Sequence, residues 1–208
     1  MKTEKELEEL KGEQLGLIDH VDRKLGNYRT PSGWGVDGNL NRITRYHKNV
    51  DLMIPITNLQ LTKKILREYG MDVTGDEYRL HAEKGDLKAD VIVWKLSERK
   101  DLNRGKYADF VEFVTPYHGK TTVPQEFLYG VNAELEGVKF DALNYFALLA
   151  AKSFATAETA DWAVERDRFD TGNLLEHLNK ELKDMSKLKL YKKMMTFARP
   201  ATRVMCHR

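Results

Sequence analysis

Leu7, Leu10, Leu17, Ile18 and Val21 recur at helical spacing and predict a helix over residues 4–24, with Gly26 as its stop. Residues 27–42 are rich in Gly and Asn but carry Trp34, Val36 and Leu40, which predicts a loop followed by a short helix. The branched run from Val50 to Ile56 predicts a strand. Asn58 is the expected cap of a helix running to Tyr69 and closed by Gly70. Tyr78 to Ala82 and Leu87 to Leu96 predict an antiparallel pair joined through Lys84-Gly85-Asp86. In its second strand Val91 and Val93 share one face, with Asp90 and Ile92 on the other. The β pattern continues over Asp109 to Pro116 and again over Val138 to Leu143. After Asn144 the pattern turns helical, over residues 145–157, 160–168, 172–180 and 182–197. Mixed elements in front and helices behind predict an α/β (α+β) protein, with a mixed-sheet domain over residues 1–140 and a helical domain over 141–208.

Composition adds little to this except where charge is uneven. The chain has 208 residues, 41% of them hydrophobic and 32% charged, which is the profile of a globular protein and not of a disordered one. Its net charge is +2. From Lys183 to Arg208 there are eight Lys or Arg against Asp184 alone, so the tail carries +7 and the rest sums to −5. Such a tail can attract nucleic acid. The apolar stripe Leu182, Met185, Leu188, Tyr191 and Met195 favours instead a packed helix with a solvated basic face. No run approaches the roughly 18 apolar residues of a membrane span, and residues 1–14 have no apolar core that would serve as a secretory signal. Cys206 is the single cysteine, so a reducing, cytoplasmic setting is expected. His81, His118, His177 and His207 lack zinc-site spacing, and neither a P-loop nor a G-x-G-x-x-G run occurs.

The segment from Ser32 to Leu52 carries the chemistry. A pair of small residues, Ser32 and Gly33, opens a helix, and an acidic residue, Asp51, sits on the strand that follows. Small residues let backbone N–H groups approach a polyphosphate, and a helix N-terminus adds a favourable dipole. Carboxylates on an adjacent strand can then hold Mg²⁺ against the same phosphates. Asp90, within Ala89-Asp90-Val91, is placed to be a further ligand.

These residues resemble the nucleotidyltransferase superfamily, with its small-residue pair, short helix and Asp-x-Asp strand. The likeness is greatest to the aminoglycoside and lincosamide nucleotidyltransferases. Gly33, Trp34, Val36, Asp37, Leu40, Arg42, Thr44, Arg45, His47, Val50 and Asp51 all stand at that group's motif positions. The resemblance implies a nucleotidyltransferase-type mixed sheet with a C-terminal helical domain. It implies metal-dependent transfer of a nucleoside monophosphate from a nucleoside triphosphate to a hydroxyl of a small acceptor. Asp51 and Asp90, with Asn49, would hold Mg²⁺ or Mn²⁺ as the catalytic set. Ser32, Gly33, Arg42, Arg45 and Lys152 would bind the nucleotide. His47, Trp34 and Asp37 read as structural residues.

Three positions depart from the group's pattern. Asn49 replaces the first Asp of Asp-x-Asp, Ser32 replaces the first Gly, and residues 27–31 make a poor strand. A neutral Asn oxygen bridges two cations less well than a carboxylate, and two-metal phosphoryl transfer depends on that bridge. The alternative is therefore a binding protein on the same fold, with a weakened metal centre, that recognises a nucleotide, a nucleic acid or a protein partner.

Overall fold

The computed structural model describes residues 2–98, 109–115, 119–155 and 161–181. Helix α1 (Glu4–Asp22) starts at a reciprocal cap: Thr3 Oγ1 accepts from the Glu6 amide, and the Glu6 carboxylate accepts from the Thr3 amide. Its apolar stripe buries Leu10, Leu17, Ile18 and Val21. Helix α2 (Ser32–Leu40) ends where Asn41 takes a left-handed conformation at φ 52°, and the Arg42 amide donates back to the Asp37 carbonyl. Strand β1 (Val50–Pro55) leads through a 3₁₀ turn into α3 (Leu59–Glu68), which stops at Gly70 with φ 84°. Asn58 does not cap α3. Its own backbone is already helical, and its amide donates to the Gly26 and Asn27 carbonyls, so it ties down the end of the first loop instead.

Among the described residues the main sheet has six strands. β2 (Asp72–Gly75), β3 (Arg79–Lys84), β4 (Leu87–Leu96), β5 (Phe110–Thr115) and β6 (Gly119–Pro124) follow one another antiparallel, and β1 pairs parallel with β4. The expected β3–β4 hairpin is present and turns at Gly85, φ 59°. Strands β7 (Gly130–Leu135) and β8 (Val138–Leu143) form a separate antiparallel pair. Strands β2, β6 and β7 were not expected from the sequence. Each is only four to six residues long; β2 is mostly exposed, β6 is mostly half-buried, and β7 alternates only over Asn132–Leu135, too short a run to stand out.

The weak segment 27–31 joins the two sheets. Arg29 exchanges backbone hydrogen bonds with Met53 of β1, at 2.8 and 2.7 Å. Thr30 does the same with β8, donating to Asp141 and accepting from Leu143. Two isolated bridges suffice, which is why neither β-branching nor alternation marks this stretch. Strand β8 also crosses the position at which the sequence suggests a seam between two domains.

Helices α4 (Tyr145–Ala155) and α5 (Asp161–Glu181) pack on each other and on α2. Helix α5 is one continuous rod, where the sequence suggested two helices, over 160–168 and 172–180, the second opening at Gly172. Gly costs a helix only about 1 kcal/mol relative to Ala, and packing overrides it. The expected helix over 182–197, the basic tail and Cys206 lie outside the described residues. Two apolar clusters lie on the two faces of the main sheet. One joins α1 and α3 to Leu52, Ile54, Val91 and Val93, and the other joins α4 and α5 to Met53, Val111 and Leu148.

Tight helix packing generates a contrast. A Cβ on Gly35 would stand 2.3 Å from the Thr30 carbonyl oxygen, whereas one on Gly12 would meet nothing within 4 Å. Gly35→Ala is expected to destabilise the chain by about 1–3 kcal/mol through overpacking. Gly12→Ala, on exposed helix, is expected to stabilise it by up to about 1 kcal/mol. Chemical denaturation of the two variants beside wild type checks both signs.

Candidate active site

Parallel pairing of β1 with β4 puts Asp51 directly opposite Asp90. Their neighbours Leu52 and Val91 point into the apolar core, so the pleat turns both carboxylates to the other face. Asn49 closes the group. Its amide nitrogen donates to Asp51 Oδ1 at 2.9 Å and to Asp90 Oδ2 at 2.7 Å. Both amide hydrogens are then engaged, and the carbonyl oxygen is the atom of that side chain with lone pairs to offer a cation. Burial, followed by the charge of Asp90, pushes the Asp51 carboxyl up to about 6, although Ser32, Lys152 and Arg166 act in the opposite direction.

Asp90 has two further partners that were not expected from the sequence. His81 Nδ1 lies 2.5 Å from Asp90 Oδ1, and Arg79 Nη2 donates to the same oxygen at 3.2 Å. Both residues are on β3, where the hairpin register sets His81 opposite Asp90. The signal was present in the Gly85 turn, which fixes that register.

A small polar cavity borders Asp51. Ser32, Gly33, Arg45, Lys48, Lys152 and Arg166 are on its wall, with His47 and Asn49 beside them. Ser32 has φ 61°, a strained conformation for a residue with a side chain, at the first position of α2. A Cβ on Gly33 would fall 2.2 Å from His47 Nδ1, so only glycine lets the ring approach. Arg42 is exposed beyond α2 and is not among the residues that line the cavity.

The motif residues read as structural hold this wall in place. Trp34 is 1% exposed and stacks at a tilt on His47, with ring centres 4.6 Å apart. Asp37 is fully buried. Its Oδ1 accepts from the Thr44 amide and hydroxyl, and its Oδ2 lies 2.6 Å from His47 Nε2. Arg45 Nη1 lies 3.0 Å from His47 Nδ1. Arginine can only donate, so Nδ1 is an acceptor and Nε2 carries the hydrogen that Asp37 receives. Burial lowers the His47 pKa, with Asp37 partly opposing.

Two acids on α5 stand behind the cations of the wall. Lys152, 7% exposed on α4, donates to Asp167 and Asp170, both at 2.7 Å. Arg45 pairs with Asp170 through two parallel contacts of 3.0 and 2.9 Å. Neither acid stood out in the sequence, because their partners lie 15 to 125 residues away.

The donor set suits a hard divalent cation in one respect. Asp51 and Asp90 supply anionic oxygen and Asn49 a carbonyl oxygen, and such an ion takes its other ligands from water and substrate phosphate. The described residues contain no cluster of three or more His, Cys, Asp or Glu of metal-site geometry. With two carboxylates and one neutral oxygen, the set fits one ion better than two. A second cavity, at the other end of β4, is mainly apolar. Its buried Glu112 is already paired with Ser97 and Lys120, at 2.6 and 2.5 Å.

Comparison with known proteins accords with this arrangement. Residues 15–96 match the family model described as aminoglycoside-2''-adenylyltransferase. A search of curated proteins finds no match. The fold is similar to the crystal structure of ANT(2'')-Ia in complex with adenylyl-2''-tobramycin. That likeness has a TM-score of 0.61 at 16% identity, over 92% of this chain and 98% of the other. The solution structure of ANT(2'')-Ia gives a TM-score of 0.55 at 16% identity, over 88% and 98%. The lincomycin-bound lincosamide antibiotic adenylyltransferase LnuA gives 0.51 at 20% identity, over 83% and 96%. Among the described residues no helix is long and apolar enough to cross a membrane. The matched segment holds the whole Ser32–Asp51 motif and Asp90, and over most of its length the chain shares the fold of these aminoglycoside and lincosamide adenylyltransferases.

Proposed function

We propose that this chain transfers a nucleoside monophosphate from a nucleoside triphosphate to a hydroxyl of a small acceptor, with Mg²⁺ or Mn²⁺. One observation carries the proposal. Asp51 and Asp90 stand opposite each other on paired strands, bridged by Asn49, at the edge of a cavity walled by Arg45, Lys152 and Arg166. Paired carboxylates next to clustered cations suit a metal–triphosphate substrate, and few other ligands need both.

In this reading Asp51, Asp90 and the Asn49 oxygen hold the cation, which when bound would polarise the phosphate and neutralise charge that develops on it. Ser32 and Gly33 bring backbone N–H groups at the start of α2 to the phosphates. Arg45 and Lys152 orient the triphosphate from the opposite wall. The acceptor is of the small hydroxylated class, as are the molecules named with ANT(2'')-Ia and LnuA. The division into a nucleotidyltransferase-like part over 1–140 and a helical part over 141–208 belongs to the same proposal.

A second reading has its own support. The Asn49 amide satisfies both carboxylates without a cation, so the same site can persist as a metal-independent binding scaffold. Asn49→Asp separates the two. In an enzyme the added anion is expected to raise Mg²⁺ or Mn²⁺ affinity and to raise transfer rate. In a retired site it yields no turnover. Product formation from labelled nucleoside triphosphates over a panel of hydroxylated acceptors, with matched metals, distinguishes them. Turnover in wild type that collapses in Asn49→Asp would contradict the role given to this residue.

Asp51 gives a test that needs no substrate. Its pKa is raised from 3.8 to about 6 on folding. The native state therefore holds the proton more tightly than the unfolded chain. The cost of ionising Asp51 is fully present above about pH 6 and disappears as pH falls toward 3.8. In metal-free buffer Asp51→Asn is expected to be more stable than wild type by about 1–3 kcal/mol near pH 8, with the gap closing near pH 4. Urea unfolding at the two pH values checks the sign. A variant less stable than wild type at pH 8 would make Asp51 a structural carboxylate.

A further inference from the structure

The cations on the cavity wall have already committed most of their donors. Arg45 gives Nε–H and one Nη2–H to Asp170, and its Nη1 reaches the Tyr46 carbonyl and His47 Nδ1 at 3.3 and 3.0 Å. Among the described residues, that leaves one of the five guanidinium hydrogens without a partner. Lys152 gives two of its three hydrogens to Asp167 and Asp170. Asp170 has no exposed surface, and it receives a residue from the loop before β1 and another from α4 while standing on α5 itself. A carboxylate buried this deeply is retained only when paired, and here both partners are the cations that face the ligand cavity.

We infer that Asp170 is a positioning residue for the triphosphate. It fixes Arg45 and Lys152 so that each has a single N–H left for the ligand, and it limits the positive charge the cavity presents. This rests on the nucleotidyl-transfer proposal above. Arg45 and Lys152 are balanced by Asp167 and Asp170, so the wall exchanges raw attraction for orientation. Tight ground-state binding of a polyphosphate lowers KM without raising kcat, whereas fixed geometry raises kcat. Removing the Asp170 charge should therefore have opposite effects on binding and on turnover.

The probe is inorganic tripolyphosphate with Mg²⁺, titrated calorimetrically into the full chain at low ionic strength, beside steady-state transfer kinetics. Asp170→Asn is expected to bind it about threefold or more tightly than wild type, because one counter-charge is gone. The KM for nucleoside triphosphate should fall in parallel, while kcat drops by about tenfold or more. A carboxylate that only supported the fold would reduce the active fraction and leave both Kd and KM unmoved. Unchanged or weaker binding in folded Asp170→Asn overturns the inference. Asp167→Asn, which takes one counter-charge from Lys152 and leaves the Arg45 pair whole, is the second variant and should tighten binding by a smaller factor. Failure of both variants to fold overturns the inference as well, since the acids are then structural. Wild type that binds no tripolyphosphate overturns the nucleotide-site proposal and this one with it. Wild-type binding with no change in either variant overturns this one alone.

Discussion

Two carboxylates held face to face are the constraint around which this molecule is built. Parallel pairing of β1 with β4 brings Asp51 opposite Asp90, and nothing in the strand backbone relieves the repulsion between them. The surroundings do so in three ways. Asn49 gives one amide hydrogen to each acid. Arg79 and His81 reach Asp90 from β3. Lys152 and Arg166 act on Asp51 from the helical side. Burial first, and the charge of Asp90 second, nevertheless raise the Asp51 pKa to about 6. A site left with surplus negative charge in a partly dry setting is one that a divalent cation would relieve.

The same logic runs in reverse on the facing wall. There Arg45 and Lys152 are the like charges, and Asp167 and Asp170 are their counter-ions. The polar cavity is lined by Asp51 and Asn49 together with Arg45, Lys152 and Arg166. The line of contacts from Asp37 through His47, Arg45 and Asp170 to Lys152 ties α2, the loop before β1, α4 and α5 into one network. Trp34 and the close approach at Gly33 seat His47 in that line. The motif residues thus fall into two groups. The acids of β1 and β4 hold charge at the site, and the Gly-Trp-Asp helix holds the residues that border it.

What could be read from the sequence followed from how local each cause is. The hairpin of β3 and β4, the strand carrying Asp51 and the helix opening at Ser32 are set by short-range pattern, and they stand where the pattern put them. The buried, structural character expected of Trp34, Asp37 and His47 likewise came from their neighbours in the motif. Strands β2, β6 and β7 were not legible, because β2 and β6 have no clear apolar face and the alternation of β7 spans only a few residues. The 27–31 segment looked unsuited to a sheet and yet bridges two, through only two residues. Asp167 and Asp170 were not singled out within the charged stretch that holds them. Their meaning depends on α5 lying against the loop that holds Arg45, a contact between residues 125 apart. Lys152 showed the intermediate case: an apolar helix made its charge conspicuous, but the sequence could not supply its partners.

The most direct test of the account is to grow crystals with Mn²⁺ and a non-hydrolysable nucleoside triphosphate and to locate the ion by its anomalous scattering. The account predicts one strong peak between the Asp51 and Asp90 carboxylates, with the Asn49 oxygen turned toward it and the triphosphate running along Ser32 and Gly33 to Arg45 and Lys152. Nucleotide bound elsewhere, or bound in this cavity with no ion between Asp51 and Asp90, would contradict it.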